Sequence, residues 1–190
     1  MKYRLNWTLT FILTCIVFFV FQNITELWIF LAFFPIMAFK TPWIFVTSVF
    51  LHADLSHLFF NMLALFFFGT SLERLIGGKA FAVLFLTAGI IGNIGYLITN
   101  TNPYIPAIGA SGAIYGVIGA LAILEPFSLV YVYGLLPLPM IVAAVIWVLL
   151  DFVGLFTPSG TAHGAHLGGV VVGVFFGFYY RILLWRARRF

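Results

Sequence analysis

The sequence is organised around one stretch, Gly109-Ala110-Ser111-Gly112-Ala113-Ile114-Tyr115-Gly116. It places the Ser111 hydroxyl where a polar connection meets the start of a very apolar segment. Small neighbours let other backbone approach closely, and free N–H groups at a helix N-terminus stabilise an anion. The same small residues are also typical of membrane helices that only pack together. The stretch alone leaves both interpretations open, and the positions of the other polar residues decide between them.

The composition is that of a membrane protein. Of the 190 residues, 64% are apolar and only 7% are charged, and the mean hydropathy is +1.17. A soluble domain is about 25% charged, and one membrane span needs about 20 apolar residues. We therefore expect a single all-α domain, residues 1–190, with six membrane-spanning helices. The only cysteine, Cys15, excludes an intramolecular disulfide and zinc sites built on paired cysteines.

Apolar runs separated by turn residues predict the positions of the spans. In chain order they are residues 7–21 (with an extension to about residue 30), 55–76, 80–98, 110–125, 128–152 and 165–185. Residues 31–50 are apolar but contain Pro35, Lys40 and Pro42, which favours an interfacial segment that enters the membrane only partly. Pro137 and Pro139 predict a kink or a late start of the fifth span.

Lysine and arginine indicate the orientation, because they concentrate on the cytoplasmic side. With six spans and the N-terminus inside, all the basic residues except Lys40 are cytoplasmic: Lys2, Arg4, Arg74, Lys79, Arg181, Arg186, Arg188 and Arg189. We therefore expect both termini inside, with the terminal arginines against anionic lipid. No extended basic face is present in the sequence, so we expect no nucleic-acid partner. The oligomeric state stays open.

In this topology the second, fourth and sixth spans all begin at the outer face. The unusual polar residues stand in their first turns: His57 and Asn61, Ser111 and Tyr115, and His166. The first two sets are i, i+4 pairs, so each pair shares one helix face. Polar residues inside a membrane are costly and usually face the bundle interior. We expect these five side chains to converge at one depth.

Stripes of small residues predict how the fourth and sixth helices pack. Gly112 and Gly116 recur at i, i+4 on the fourth span, and Gly169 and Gly173 do so on the sixth. Such stripes let two helix backbones approach closely. Ser111 and His166 come just before their stripes, so packing along them brings the two residues together.

A serine beside a histidine is a nucleophile with its general base. Asp54 and Asp151 are interpreted as interfacial, and Glu73 and Glu125 fall on the cytoplasmic side, so the sequence predicts a Ser111–His166 dyad without an acidic partner. The Ser111 backbone N–H, the Asn61 amide and a His57 ring nitrogen are candidates for stabilising an oxyanion. Tyr115 is a candidate for holding the His166 ring.

A metal site is the alternative interpretation of the histidines. His163 precedes His166 by three residues, but no second cysteine and no acidic residue lies nearby in the sequence. An exposed loop position for His163 is therefore favoured, and we expect no metal and no other cofactor.

Taken together, these motifs resemble the rhomboid intramembrane serine proteases over about residues 43–177. The motifs, in chain order, are Leu51-His52-Ala53, His57-Leu58-Phe59-Phe60-Asn61, Gly69, Leu72-Glu73-Arg74-Leu75-Ile76-Gly77, the 109–116 stretch and Ala165-His166-Leu167-Gly168-Gly169. One departure is Ile44 after Trp43, where many relatives carry arginine. We interpret this change as affecting loop stability rather than chemistry.

The resemblance implies a function and a role for each matching residue. Ser111 matches the nucleophile, His166 the base, His57 and Asn61 the oxyanion residues, and Tyr115 the aromatic residue that supports the base. Gly109 belongs to the serine motif, and His52 matches a structural histidine. The family cleaves transmembrane proteins near their outer ends and needs no cofactor. We expect the minimal six-span form in a prokaryotic cell membrane.

Two other functions stay as alternatives. A catalytically silent member of this fold would bind membrane clients, but such members typically lose the serine or the histidine. A channel or transporter would carry ionisable residues spaced through the membrane, whereas here they lie near one face.

Overall fold

A computed structural model of the chain describes residues 5–132, 134–157 and 159–187. Four of the basic residues used for the orientation, Lys2, Arg4, Arg188 and Arg189, lie outside the described residues. The main helices are α1 (Trp7–Ile24), α2 (Leu55–Ile76), α3 (Gly78–Thr99), α4 (Ser111–Leu124), α5 (Met140–Gly154) and α6 (His163–Ala187). By length and composition, α1, α2, α3 and α6 can each cross a membrane, and α4 and α5 are shorter apolar helices.

Helix α4 is the centre of the fold, and ten of its 14 residues are buried. Its most extensive contacts are with α6 and then α3. Glycines make this approach possible: a Cβ at Gly169 would collide with the Gly112 carbonyl oxygen, and one at Gly173 with that of Gly116. The two glycine stripes therefore lie directly against each other, and α4 and α6 are in backbone contact.

Helix α2 begins and ends at residues that set its bounds. The Asp54 side chain caps its start by accepting a hydrogen bond from the His57 backbone N–H, and Gly77 ends it with a φ of +83°. Near that end, the Glu73 carboxylate accepts hydrogen bonds from the backbone N–H groups of Trp7 and Thr8. The start of α1 and the end of α2 therefore lie on the same side of the bundle.

The expected start of the fifth span at about residue 128 is wrong, whereas the late start that Pro137 and Pro139 predict is confirmed. Residues 129–139 contain a small antiparallel sheet, β1 (Leu129–Val132) and β2 (Leu136–Pro139), in which Leu129 lies opposite Pro139. Because proline has no N–H and disfavours the helical conformation in the residue before it, Pro137 and Pro139 prevent a helix through this segment. Helix α5 therefore starts late, at Met140, and the hairpin is an exception to the expected all-α fold.

The segment between α1 and α2 has no long helix. It contains short 3₁₀ turns, Glu26–Phe30, Pro35–Met37 and Ser48–Phe50, and one turn of α-helix, Ile44–Thr47. Phe33, fully buried, exchanges backbone hydrogen bonds with Ala107. The Ser48 carbonyl accepts the N–H of Gly109 at 2.9 Å. The segment thus holds the connection that leads into Ser111.

Candidate active site

The Ser111 and His166 side chains meet at the first turns of α4 and α6. The distance from Ser111 Oγ to His166 Nε2 is 2.8 Å, and His166 is only 8% exposed. The glycine stripes explain the contact, because they bring the backbones of α4 and α6 together just beside these two residues. A hydroxyl in this position can donate its proton to the ring nitrogen.

Tyr115 holds the His166 ring from one face. The two rings are stacked, with centroids 4.2 Å apart and an interplanar angle of 7°. Tyr115 follows Ser111 by one helical turn, so α4 supplies both the hydroxyl at the ring's edge and the aromatic face beside it. The stack fixes the plane of the imidazole relative to Ser111.

An acidic partner for His166 is present, and the expectation of a dyad without one is wrong on this point. Asp151 is 4% exposed, and its Oδ1 lies 2.8 Å from His166 Nδ1. Since α5 starts at Met140 and ends at Gly154, Asp151 stands in its last turn and faces the start of α6. A continuous hydrogen-bonded chain therefore runs from Asp151 through His166 to Ser111.

One sequence signal was available for Asp151. It is an acidic residue close to the end of an apolar run, just before the connection that leads to His166. Helices joined by a short connection place the end of one beside the start of the next, so the acid and the base were candidates for contact. The interfacial interpretation overlooked this, because an acid at the end of a span is also typical of the membrane surface.

His163 contacts the same carboxylate, so the expectation of an exposed loop histidine is wrong. It is the first residue of α6, and its Nδ1 lies 2.6 Å from Asp151 Oδ1. Its Nε2 lies 2.7 Å from Ser159 Oγ. A Cβ at Gly154 would collide with the His163 ring, so the absence of a side chain there makes room for it.

His57 presents a ring edge beside the serine loop. Its Nδ1 accepts a hydrogen bond from the Ala53 backbone N–H at 3.3 Å, so in the neutral ring the proton is on Nε2. Gly109 has a φ of +123°, and a Cβ there would lie 2.8 Å from this Nε2. The His57 ring therefore packs directly against the backbone of Gly109, two residues before Ser111. Its Nε2–H points toward this backbone and has no hydrogen-bond partner among the described residues.

Asn61 lies one turn after His57 and is 7% exposed. One N–H of its amide donates to the His57 carbonyl at 2.9 Å. An amide nitrogen has two hydrogens, so this bond fixes the side chain and leaves one donor for another acceptor.

His52 supports His57 from behind. It is fully buried, and its ring lies edge-on to that of His57 with centroids 5.1 Å apart. The Gln22 side chain binds both the N–H and the carbonyl of His52. Burial, and next the proximity of His57, lower the pKa of His52 to about 4. His52 is therefore a neutral, rigid support at physiological pH.

The space beside Ser111 is narrow. A cleft of about 10 Å³, lined by Ile108, Gly109, Ala162 and their neighbours, adjoins the serine. This is room for no more than about one water molecule.

Comparison with known proteins identifies the family. The rhomboid domain model matches residues 40–182, which contain Ser111, His166 and Asp151. The chain belongs to the rhomboid family. Rhomboid membership and the apolar helices make it an integral, multi-pass membrane protein, and its curated relatives include rhomboid proteases.

Relatives of this rhomboid occur in bacteria and in mitochondria. Rhomboid protease GluP of Bacillus subtilis is 36% identical over 133 residues, covering 70% of this chain and 25% of GluP. Rhomboid protein 1, mitochondrial, of Saccharomyces cerevisiae is 33% identical over 144 residues, covering 70% and 40%. YdcA of Bacillus subtilis is 43% identical over 77 residues, covering 40% and 38%. The chain thus spans between a quarter and two fifths of these relatives' lengths, and the prokaryotic location stays a prediction.

Proposed function

We propose that this rhomboid is an intramembrane serine endopeptidase that hydrolyses a peptide bond in transmembrane protein substrates. The observation that carries the proposal is the buried hydrogen-bonded chain from Asp151 through His166 to Ser111. Nucleophile, base and orienting carboxylate stand in the order that activates a serine. A catalytically silent protein would have no need to keep this chain.

The proposed reaction begins with Ser111. Its Oγ attacks the substrate carbonyl carbon while its proton passes to His166 Nε2. His166 then returns that proton to the leaving amine, and the peptide C–N bond breaks to give an acyl-enzyme. Water, deprotonated by the same nitrogen, then attacks the ester, and His166 returns that proton to Ser111 Oγ as the acyl C–O bond breaks. Asp151 accepts the Nδ1–H bond throughout, so the neutral ring always presents the Nε2 lone pair to the serine.

The oxyanion of the tetrahedral intermediate needs donors. The proposed set is the Ser111 backbone N–H at the start of α4, the His57 Nε2–H and the remaining N–H of Asn61. The Ser111 N–H makes no hydrogen bond within α4, because the first N–H groups of a helix have no intrahelical partner. His57 and Asn61 stand on α2, on the same side of the bundle, and His52 keeps the His57 ring in place.

We further propose six membrane spans in one domain, with both termini in the cytoplasm. Helices α2, α4 and α6 all begin at the end where the site lies, and Arg74, Lys79 and Arg181 stand toward the opposite end. Helix α4 has 14 residues and is therefore about 21 Å long, shorter than a hydrocarbon core of about 30 Å. Ser111 at its start consequently lies below the outer surface, at a depth where the outer end of a transmembrane substrate is cut.

Cleavage of model transmembrane substrates by the purified chain in detergent tests the proposal. Wild type should cleave, and Ser111→Ala and His166→Ala should lower the rate by at least about a thousandfold. Ser71→Ala is the matched control, because the hydroxyl of this exposed serine donates to the Phe67 carbonyl of its own helix, far from the site. Cleavage that survives Ser111→Ala would contradict the mechanism, and an inactive wild type would favour the client-binding alternative.

A further inference from the structure

Two imidazoles and a carboxylate meet at the outer end of the site. The ligand atoms of Asp151, His163 and His166 all lie within 4.8 Å of one another. His163 and His166 are an i, i+3 pair in the first turn of α6, so they share one helix face, and Asp151 approaches from α5. The sequence offered no acidic residue close to these histidines, and the structure supplies one from α5, Asp151.

We propose that Asp151, His163 and His166 form a binding site for a divalent first-row transition-metal ion such as Zn²⁺, and that the bound ion inhibits the protease. The second half of this proposal rests on the proposed function, and the first half does not. A common zinc site has two histidines and one carboxylate as protein ligands, with water in the fourth position. Mg²⁺ and Ca²⁺ prefer oxygen ligands, and this donor set disfavours them.

The groups around the three ligands suit a metal ion. A metal-bound histidine usually donates its other ring N–H to a neighbour. Here His163 Nε2 lies against Ser159 Oγ, and His166 Nε2 against Ser111 Oγ, so both Nδ1 atoms point to the centre. Asp151 Oδ2 is buried and has no hydrogen-bond partner within the described residues. The Tyr115 hydroxyl lies nearby and stabilises the charged carboxylate. The carboxylate therefore has acceptor capacity left for a cation.

The distances require a small adjustment. The Nδ1 atoms now lie 2.6 and 2.8 Å from Asp151 Oδ1, which are hydrogen-bond lengths. Ligands of a tetrahedral zinc ion, at about 2.0–2.1 Å from the metal, are roughly 3.3 Å apart, so the rings must withdraw by about half an ångström. His166 is held by the Tyr115 stack, whereas the His163 side chain is 17% exposed and has room at its outer edge. The His163 ring and the Asp151 carboxylate are therefore the ligands that move, and the ion enters at His163.

The bound ion would inhibit through the tautomer of His166. In the active arrangement, Nδ1 carries the proton and Nε2 accepts from Ser111. A metal ion at Nδ1 needs the lone pair there, so the proton of the neutral ring moves to Nε2. His166 then donates to Ser111 instead of accepting from it, and the nucleophile has no base. This tautomer change moves one proton within the neutral His166 ring, so the ring is not oxidised and loses no proton.

Metal binding is tested first, in the full chain made inactive by Ser111→Ala and purified in detergent. Titration with Co²⁺, a spectroscopic substitute for Zn²⁺, should produce the visible absorption of a tetrahedral ion with one equivalent per chain, reversed by Zn²⁺ and not by Mg²⁺. Adding His163→Ala should weaken binding by at least about tenfold. Adding Thr161→Ala, an exposed side chain in the same connection, should leave it unchanged. Absence of the Co²⁺ band, or equal affinity in the His163→Ala protein, would overturn the site.

Inhibition is tested on the active protein. Zn²⁺ should stop substrate cleavage by wild type and a chelator should restore it. The Zn²⁺ concentration that halves the cleavage rate should be at least about tenfold higher for His163→Ala than for wild type. The rate of each protein in Zn²⁺ is divided by its own rate without metal. Equal inhibition of the two proteins would overturn the regulatory half. If wild type cleaves nothing while the Ser111→Ala chain still binds Co²⁺, the proposed function fails and the metal site stands.

Discussion

Asp151 on α5 and His166 on α6 are joined by a hydrogen bond of 2.8 Å between Oδ1 and Nδ1. The same oxygen binds His163, so the end of α5 nearest the site is tied to the start of α6 by two histidines. Moving that end of α5 away from α6 would break both bonds and disorient the proposed base.

Replacing Asp151 by asparagine should lower kcat by about 10²- to 10⁴-fold, with KM nearly unchanged. The asparagine amide can donate to Nδ1, which favours the tautomer with the proton on Nε2 and removes the acceptor from Ser111. Asp151→Glu keeps the charge and should recover part of the rate. Steady-state kinetics on a model substrate make the measurement. A purely structural role would predict similar losses in both variants, together with a lower melting temperature.

Gly109→Ala should reduce kcat by about 10- to 100-fold, since it displaces a proposed oxyanion donor. A Cβ there would lie 2.7 and 2.8 Å from His57 Cε1 and Nε2, and the φ of +123° is unfavourable for alanine. Gly160→Ala is the matched control, because no atom of the described residues lies within 4 Å of its Cβ position. Wild-type kinetics in Gly109→Ala would show that the placement of His57 is not needed.

Gly169→Ala should destabilise the protein by about 1–3 kcal/mol, because the new Cβ meets the Gly112 carbonyl, which is backbone and cannot rotate away. Alanine favours a helix over glycine by up to about 1 kcal/mol, so the steric cost exceeds the gain in helix propensity. Thermal unfolding in detergent measures the difference. Gly160→Ala again serves as the control, and a melting temperature of Gly169→Ala at or above that of wild type would contradict the backbone contact.

Stability should fall as the pH drops from about 6.5 toward 4, and His52 should account for much of this loss. Its folded-state pKa of about 4 lies below the ordinary value of 6.5, so the unfolded chain binds the proton more readily. The contribution is present in full above pH 6.5 and is lost as the pH falls through the folded pKa; it amounts to roughly 3 kcal/mol.

The measurement is the melting temperature of wild type and His52→Gln across this pH range. Glutamine does not titrate, so the variant should show a flatter profile, although its stability at neutral pH is expected to be lower because the packing against His57 changes. Parallel profiles for the two proteins would assign the acid sensitivity to other groups.

The sequence supported a correct interpretation wherever a local pattern carried the information. Hydropathy and turn residues predicted the first four helices to within a few residues, and i, i+4 glycines predicted the approach of α4 and α6. The fifth helix was misplaced because apolar strands and apolar helices are alike in composition. Only the prolines at 137 and 139 distinguished them, and they allowed a late start without indicating the hairpin.

The sequence by itself determined that Ser111 and His166 meet, because small residues at fixed spacing dictate which helix faces can touch. It did not determine the partners of His166. Whether Asp151 faces His166, His163 or the membrane surface depends on where α5 begins and how it rotates against α6, and the almost uniformly apolar sequence of α5 gives little indication of that rotation. Only tertiary packing, which makes a buried carboxylate costly unless it is hydrogen-bonded, decided that Asp151 lies between the two histidines.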